Sequence, residues 1–91
     1  MAGLLEGKTI IITGGSTGIG RATSIRAAEQ GAAVVIADIN KEEAQITCDT
    51  IKATNGNVMF VETDVTDSNA IKALIAKTVE THGDLHGAFN N

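Results

Sequence analysis

Thr13-Gly14-Gly15-Ser16-Thr17-Gly18-Ile19-Gly20 decides how this chain folds. A β-branched run, Thr9-Ile10-Ile11-Ile12, leads into it, and an alanine-rich run, Arg21-Ala22-Thr23-Ser24-Ile25-Arg26-Ala27-Ala28, leads out. The first run favours a strand and the second a helix, so the glycines form the turn between them. Strand, glycine loop and helix in that order set backbone N–H groups and the positive end of a helix against a phosphate. Gly14 supplies the turn, Gly18 lets the backbone approach a ligand, and Gly20 lets the helix lie close to the strand. The Ser16 and Thr17 hydroxyls can add hydrogen bonds to phosphate or ribose. Glycines that only turn the chain would look the same locally, so a second signal is needed.

That signal is an acid. A second apolar run, Val34-Val35-Ile36-Ala37, ends in Asp38, at about the distance past the loop expected of a group that holds an adenosine ribose. A carboxylate there accepts hydrogen bonds from the 2′- and 3′-hydroxyls. It repels a 2′-phosphate by about 4 kcal/mol at ~4 Å and an effective dielectric of ~20. Thr17 and Ile39 offer no cation to offset this. The expected cofactor is therefore NAD, preferred over NADP.

The remaining chain alternates in the same way. Strand one is expected over about Lys8–Thr13, helix one from Thr17 or Gly18 to Gln30, and strand two over Ala33–Asp38. Helix two follows Asn40, an N-cap with Glu43 three residues on as in a capping box, and ends at Asn55-Gly56. Strand three is Asn57–Glu62. Helix three starts near Asp67 and carries Ile71, Leu74, Ile75, Thr78, Val79 and His82 on one face until Gly83 stops it. A last strand covers about Leu85–Asn90. The fold expected is α/β: a three-layer Rossmann-type half-domain, with a parallel sheet of four strands in order 3-2-1-4 and three helices. Helices one and two lie on one face and helix three on the other.

Other residues read more plainly. Asp64, after strand three, can accept from an adenine amino group or serve as an ordinary loop or cap residue. His82 suits a helix C-terminus, His86 a surface, Cys48 the core, and Arg21 and Arg26 a helix surface. Two histidines without partners at ligand spacing give no metal site. Ninety-one residues allow one small domain. Aromatics are limited to Phe60 and Phe89, so the core must be aliphatic. A formal charge of −4 without a basic patch argues against nucleic acid and anionic membranes. A single cysteine, no signal-peptide pattern and no apolar run near ~20 residues lead to the expectation of a cytoplasmic protein.

Together these residues resemble the short-chain dehydrogenase/reductase family. Thr13-Gly14-x-x-x-Gly18-Ile19-Gly20 is similar to its glycine motif, Asp38 to the acid of its NAD-preferring members, Asp64-Val65 to its adenine-binding pair, and Asn90-Asn91 to the start of its Asn-Asn-Ala-Gly motif. The resemblance implies that Ile19 contacts the nicotinamide side, that Ile39 and Val65 flank the adenine, and that Asn90 helps hold strand four and the adenosine side. It also implies hydride transfer between NAD and an alcohol or ketone, by a tyrosine, lysine and serine from later strands. Here there is no tyrosine, so no residue takes a catalytic role, and residues 1–91 read as one truncated dinucleotide-binding domain.

Two other readings stay open: a stand-alone or engineered nucleotide-binding module without catalysis, and an S-adenosylmethionine site. Against the latter, Thr13 stands at the end of strand one, where such proteins usually carry an acid. No Gly-Lys-Ser/Thr follows the loop as a P-loop requires. Strand four is left as an edge and the sheet is covered incompletely, so a homo-oligomer is expected through that edge or the uncovered face.

Overall fold

The computed structural model describes residues 3–90. Seven elements alternate: β1 (Thr9–Thr13), α1 (Gly18–Glu29), β2 (Ala33–Asp38), α2 (Lys41–Lys52), β3 (Asn57–Glu62), α3 (Ser68–His82) and β4 (Gly87–Asn90). Every strand pairing is parallel and the order is β3-β2-β1-β4, as expected. Register sets Thr13 beside Ala37 and Asn90, and Asp38 beside Glu62. The ends of all four strands therefore meet at one edge of the sheet, where the loops after β1, β2 and β3 open.

The central strands β1 and β2 are apolar without alternation because helices lie over both faces of the sheet there. Ile12, Val34 and Ile36 point to one side and pack with Ala27 of α1 and with Ala44 and Cys48 of α2. Ile11, Val35 and Ala37 point to the other and meet Leu74 of α3. Helices one and two thus share a face, and α3 has the other to itself.

Local chemistry sets the helix ends. The Asn40 side chain accepts the Glu43 N–H at 3.1 Å. The other half of the expected capping box is not made. The Asn40 N–H goes to Asp38 (3.2 Å), and the Glu43 carboxylate goes to Arg21 (2.5 Å), a charged donor that competes better than a backbone amide. Asp67 caps α3 through the N–H groups of Asn69 and Ala70, and Gly83 ends it. Helix α2 stops at Lys52, short of Asn55-Gly56, and the chain turns through Asn55 at φ 63°.

The start of strand four needs correction. Strand β4 begins at Gly87, two residues later than Leu85. The reason lies in His86, whose ring Nδ1 accepts the Thr9 N–H at 2.9 Å while its backbone N–H donates to the Thr9 carbonyl at 2.9 Å. A side chain there does what a ladder carbonyl would do. The apolar face of α3 is only partly buried. Leu74 and Thr78 are buried, whereas Ile75 and Val79 each remain 43% exposed. The helix packs over β2, and a cavity of about 360 Å³ opens between it and β4, lined by Ile11, Ile71, Leu74, Ile75, Leu85 and Ala88 among others.

Candidate functional site

The loop between β1 and α1 extends the sheet before it turns. The Gly14 N–H donates to the Ala37 carbonyl at 2.9 Å, one residue past the end of β1. Gly14 and Gly18 both hold positive φ, 65° and 55°, a conformation other residues adopt only at a cost. A Cβ built on Gly18 would meet no atom within 4 Å, so the space beside this backbone is open. Gly15 is required for a different reason, which its place between the fixed glycines of the motif did not signal. Its Cβ would lie 2.9 Å from the Ser24 hydroxyl and 3.1 Å from both the Ile12 carbonyl and the Ile36 side chain. Gly20 is buried on the first turn of α1.

The three helix starts differ. Asn40 caps α2 and Asp67 caps α3. At α1 the N-cap is Thr17, which makes no side-chain capping bond, and no acid lies in the first turn. The positive end of this helix is left to an anion from elsewhere.

Asp38 stands at the same edge, half-buried. Its Oδ1 accepts the N–H groups of Ile39 (2.7 Å) and Asn40 (3.2 Å). Its Oδ2 accepts the Ser16 N–H at 3.4 Å and the Ser16 hydroxyl. Burial alone would raise this carboxyl. The Ser16 hydroxyl and the amides of Asn40, Ile39 and Ser16 together outweigh it and hold the group below its ordinary value. Asp38 is thus kept ionised and aimed. The Ser16 side chain is fully buried and turned to Asp38, while Thr17 is exposed.

Asp64 is exposed, and its Oδ1 accepts the Thr66 hydroxyl (2.6 Å) and N–H (2.9 Å). Those bonds, the hydroxyl first, lower its carboxyl below the usual value. Three large apolar side chains follow the ends of β1, β2 and β3 and stay exposed: Ile19 at 70%, Ile39 at 67% and Val65 at 50%. Asn90 ends β4 opposite Thr13, whose hydroxyl lies 3.4 Å from its Oδ1 and 3.3 Å from the Phe89 carbonyl. Asn91 lies outside the described residues.

Arg21 is not a plain surface residue. Its Nε donates to the Ser16 carbonyl and to the Thr47 hydroxyl, both at 2.9 Å. One terminal nitrogen reaches the Glu43 carboxylate at 2.5 Å and the Glu43 carbonyl at 3.3 Å. No local signal reveals this, because Glu43 and Thr47 lie 22 and 26 residues away. Arg26 is exposed, with Glu29 at 3.6 Å. Cys48 is a buried core thiol, raised by burial. Among the described residues, no group of three or more His, Cys, Asp or Glu lies close enough to hold a metal ion, and no helix is long and apolar enough to cross a membrane.

A parallel sheet whose central strand runs into a glycine loop and an uncapped helix, beside an ionised acid, defines a Rossmann-type half-domain built for a dinucleotide. The open space at Gly18 and the bare start of α1 fit phosphates, and Asp38 fits a ribose. The chain belongs to the short chain dehydrogenase family, whose model matches residues 8–91. It is 44% identical over 87 residues to a 2,5-dichloro-2,5-cyclohexadiene-1,4-diol dehydrogenase of Sphingobium indicum, covering 96% of this chain and 34% of that protein. Among solved structures, it superposes with a TM-score of 0.96 and 35% identity on a chain assigned to the short-chain dehydrogenases/reductases from Burkholderia xenovorans (99% of this chain, 38% of that one). A dehydrogenase/reductase from Sinorhizobium meliloti gives 0.92 and 40% (96% and 35%). The chain spans about a third of the length of the curated relatives it matches. The family implies a nicotinamide cofactor.

Proposed function

We propose that this chain holds the adenosine and pyrophosphate of NAD for a dehydrogenase that moves hydride between NAD and an alcohol or ketone. The observation that carries the reading is the bare N-terminus of α1 set against an ionised Asp38. In this reading the Gly14–Gly20 backbone faces the pyrophosphate, and Asp38 accepts from the ribose hydroxyls and rejects a 2′-phosphate. Ile39 and Val65 flank the adenine, with Asp64 at its amino group. Ile19 meets the nicotinamide side, and Asn90 steadies β4 beside Thr13. Ser16 acts chiefly through Asp38, and Thr17 offers its hydroxyl directly. Bound NAD supplies the hydride acceptor; these residues bind and orient it. The diol dehydrogenase name of one relative supports a hydroxyl-bearing substrate for the whole protein.

Residues 1–91 work in this reading as a single domain, cytoplasmic and self-associating, that binds nucleotide without catalysis of its own. The absence of any tyrosine supports that limit. Titration calorimetry with NAD, NADP and ADP tests the binding. The dissociation constant expected is micromolar to millimolar, about −4 to −8 kcal/mol, with NAD tighter than NADP. Equal or tighter NADP binding would overturn the role of Asp38. The same polypeptide should give no hydride transfer above background with any alcohol or ketone, since no positioned acid or base serves the substrate hydroxyl.

A further inference from the structure

Ser16 is held at every polar atom it has. Its N–H and hydroxyl go to Asp38, while its carbonyl accepts from Arg21 Nε (2.9 Å) and the Thr47 hydroxyl (3.0 Å). Arg21 is anchored in turn by Glu43 at 2.5 Å. The network thus spans the first turn of α1, the glycine loop, the acid that ends β2 and the first two turns of α2. Thr47 is fully buried, and Arg21 and Glu43 keep about a third of their side-chain surface, 30% and 37%. An ion pair exposed to that degree adds little to folding by itself. What it adds is geometry, because a guanidinium is a planar fork whose donors point in fixed directions.

We infer that Arg21 is a positioning residue which, with Thr47 and Glu43, locks the glycine loop onto Asp38, so that discrimination between NAD and NADP depends on a clamp set behind the residues that would touch cofactor. The inference rests on the cofactor reading of the loop and of Asp38. Releasing the Ser16 carbonyl lets the loop drift from the acid. Asp38 then loses its hydroxyl donor, and its carboxylate is no longer held where a 2′-phosphate would have to sit. Lysine in place of Arg21 keeps the charge but lacks the planar fork that reaches the Ser16 carbonyl, the Thr47 hydroxyl and Glu43 together.

The test compares wild type with Arg21→Met, Arg21→Lys and Thr47→Val, each first checked for folding by circular dichroism. Thr47→Val removes one hydroxyl from a buried site and leaves every charge in place, so it serves where Arg21→Met fails to fold. Affinities for NAD and NADP are measured by calorimetry, and the Asp38 carboxyl is titrated by carbon NMR without ligand. The NAD-to-NADP affinity ratio should fall about tenfold in Arg21→Met and about threefold in Thr47→Val, as for loss of one or two hydrogen bonds. Arg21→Lys should restore only part of it. The Asp38 titration should move to higher pH in Thr47→Val, where no charge has changed. A merely structural role would lower stability and leave both the ratio and the titration unmoved, and that result overturns the inference. Should wild type bind neither cofactor, the cofactor reading fails, and with it the claim about discrimination. An unmoved Asp38 titration in Thr47→Val would then also remove the clamp.

Discussion

The two faces of this sheet are built to different standards. Under α1 and α2 the packing is closed. Ile12, Val34, Ile36 and Ala44 have no exposed surface, and a hydrogen-bonded network ties the helices to the glycine loop. Under α3 the packing is half open, with Ile75 and Val79 exposed and an apolar cavity beside β4. The closed face is the one that fixes the loop and the acid. The hydrogen-bonded network lies where the loop meets the Asp38 carboxylate, and the other face carries apolar surface that this chain does not cover.

The largest expected effect tests the closed face. Ile36→Ala should destabilise the fold by about 2–5 kcal/mol, the lost burial plus the cavity left behind. A domain this small has about 5–15 kcal/mol at most, so urea melts should show a large fall in midpoint or outright unfolding. A loss below about 1 kcal/mol would mean that the face can collapse around the gap.

Next comes the acid that this face positions. Asp38→Ala should narrow the gap between NAD and NADP by at least about tenfold, since a repulsion of several kcal/mol is removed. The same residue sets a pH dependence. Its carboxyl lies below its ordinary value when folded, so it contributes stability above the unfolded value of about 3.9. That contribution is lost as pH falls through the lower folded value. Acid melts of Asp38→Asn should lack this part of the decline.

The open face should respond through association rather than folding. Apolar surface beside an unpaired β4 edge favours a second copy, and Leu85-His86-Gly87-Ala88-Phe89 carries no lysine or proline to discourage it. Ala88→Lys should weaken self-association about tenfold or more in sedimentation over a hundredfold concentration range, an effect of about 1.4 kcal/mol, and leave NAD affinity within about twofold. Wild type that stays monomeric throughout would mean that α3 covers more of the sheet than its exposed Ile75 and Val79 suggest.

Much of this contrast was legible in the residues, and the reason is local. Period and turn chemistry mark strands, helices and stops, so the element order, the 3-2-1-4 sheet and the faces taken by the helices follow from short stretches. Glycine spacing and the acid after β2 likewise mark the candidate site. What periodicity lacks is distance between stripes. It placed Ile75 and Val79 on the apolar face of α3 without saying that the helix sits over β2 and leaves them open. It placed Arg21 on a helix without saying that α2 brings Glu43 and Thr47 within reach. His86 is exposed, as a surface residue, and only the approach of β1 makes its ring a backbone acceptor as well.

The smallest expected effect completes the comparison. Val79 occupies the same apolar stripe of α3 as the buried Leu74 and Thr78, and from sequence alone the three look equivalent. Their surroundings differ. Leu74 is 3% exposed, and Val79 is 43% exposed. Val79→Ser removes apolar atoms that already meet water on one side, so most of the transfer free energy is absent from the start. Serine also has nearly the helix propensity of valine. The expected loss is about 0.5 kcal/mol or less, within the range of ordinary surface substitutions. Leu74→Ala, on the same stripe five residues earlier, should cost about 2–5 kcal/mol. Urea melts of the two variants at low protein concentration would measure the difference. Run again at high concentration, Val79→Ser should lose more, because the exposed half of this stripe is the part a second copy would bury. Equal losses at both concentrations would mean that Val79 lies outside the associating surface and that the β4 edge alone carries the contact.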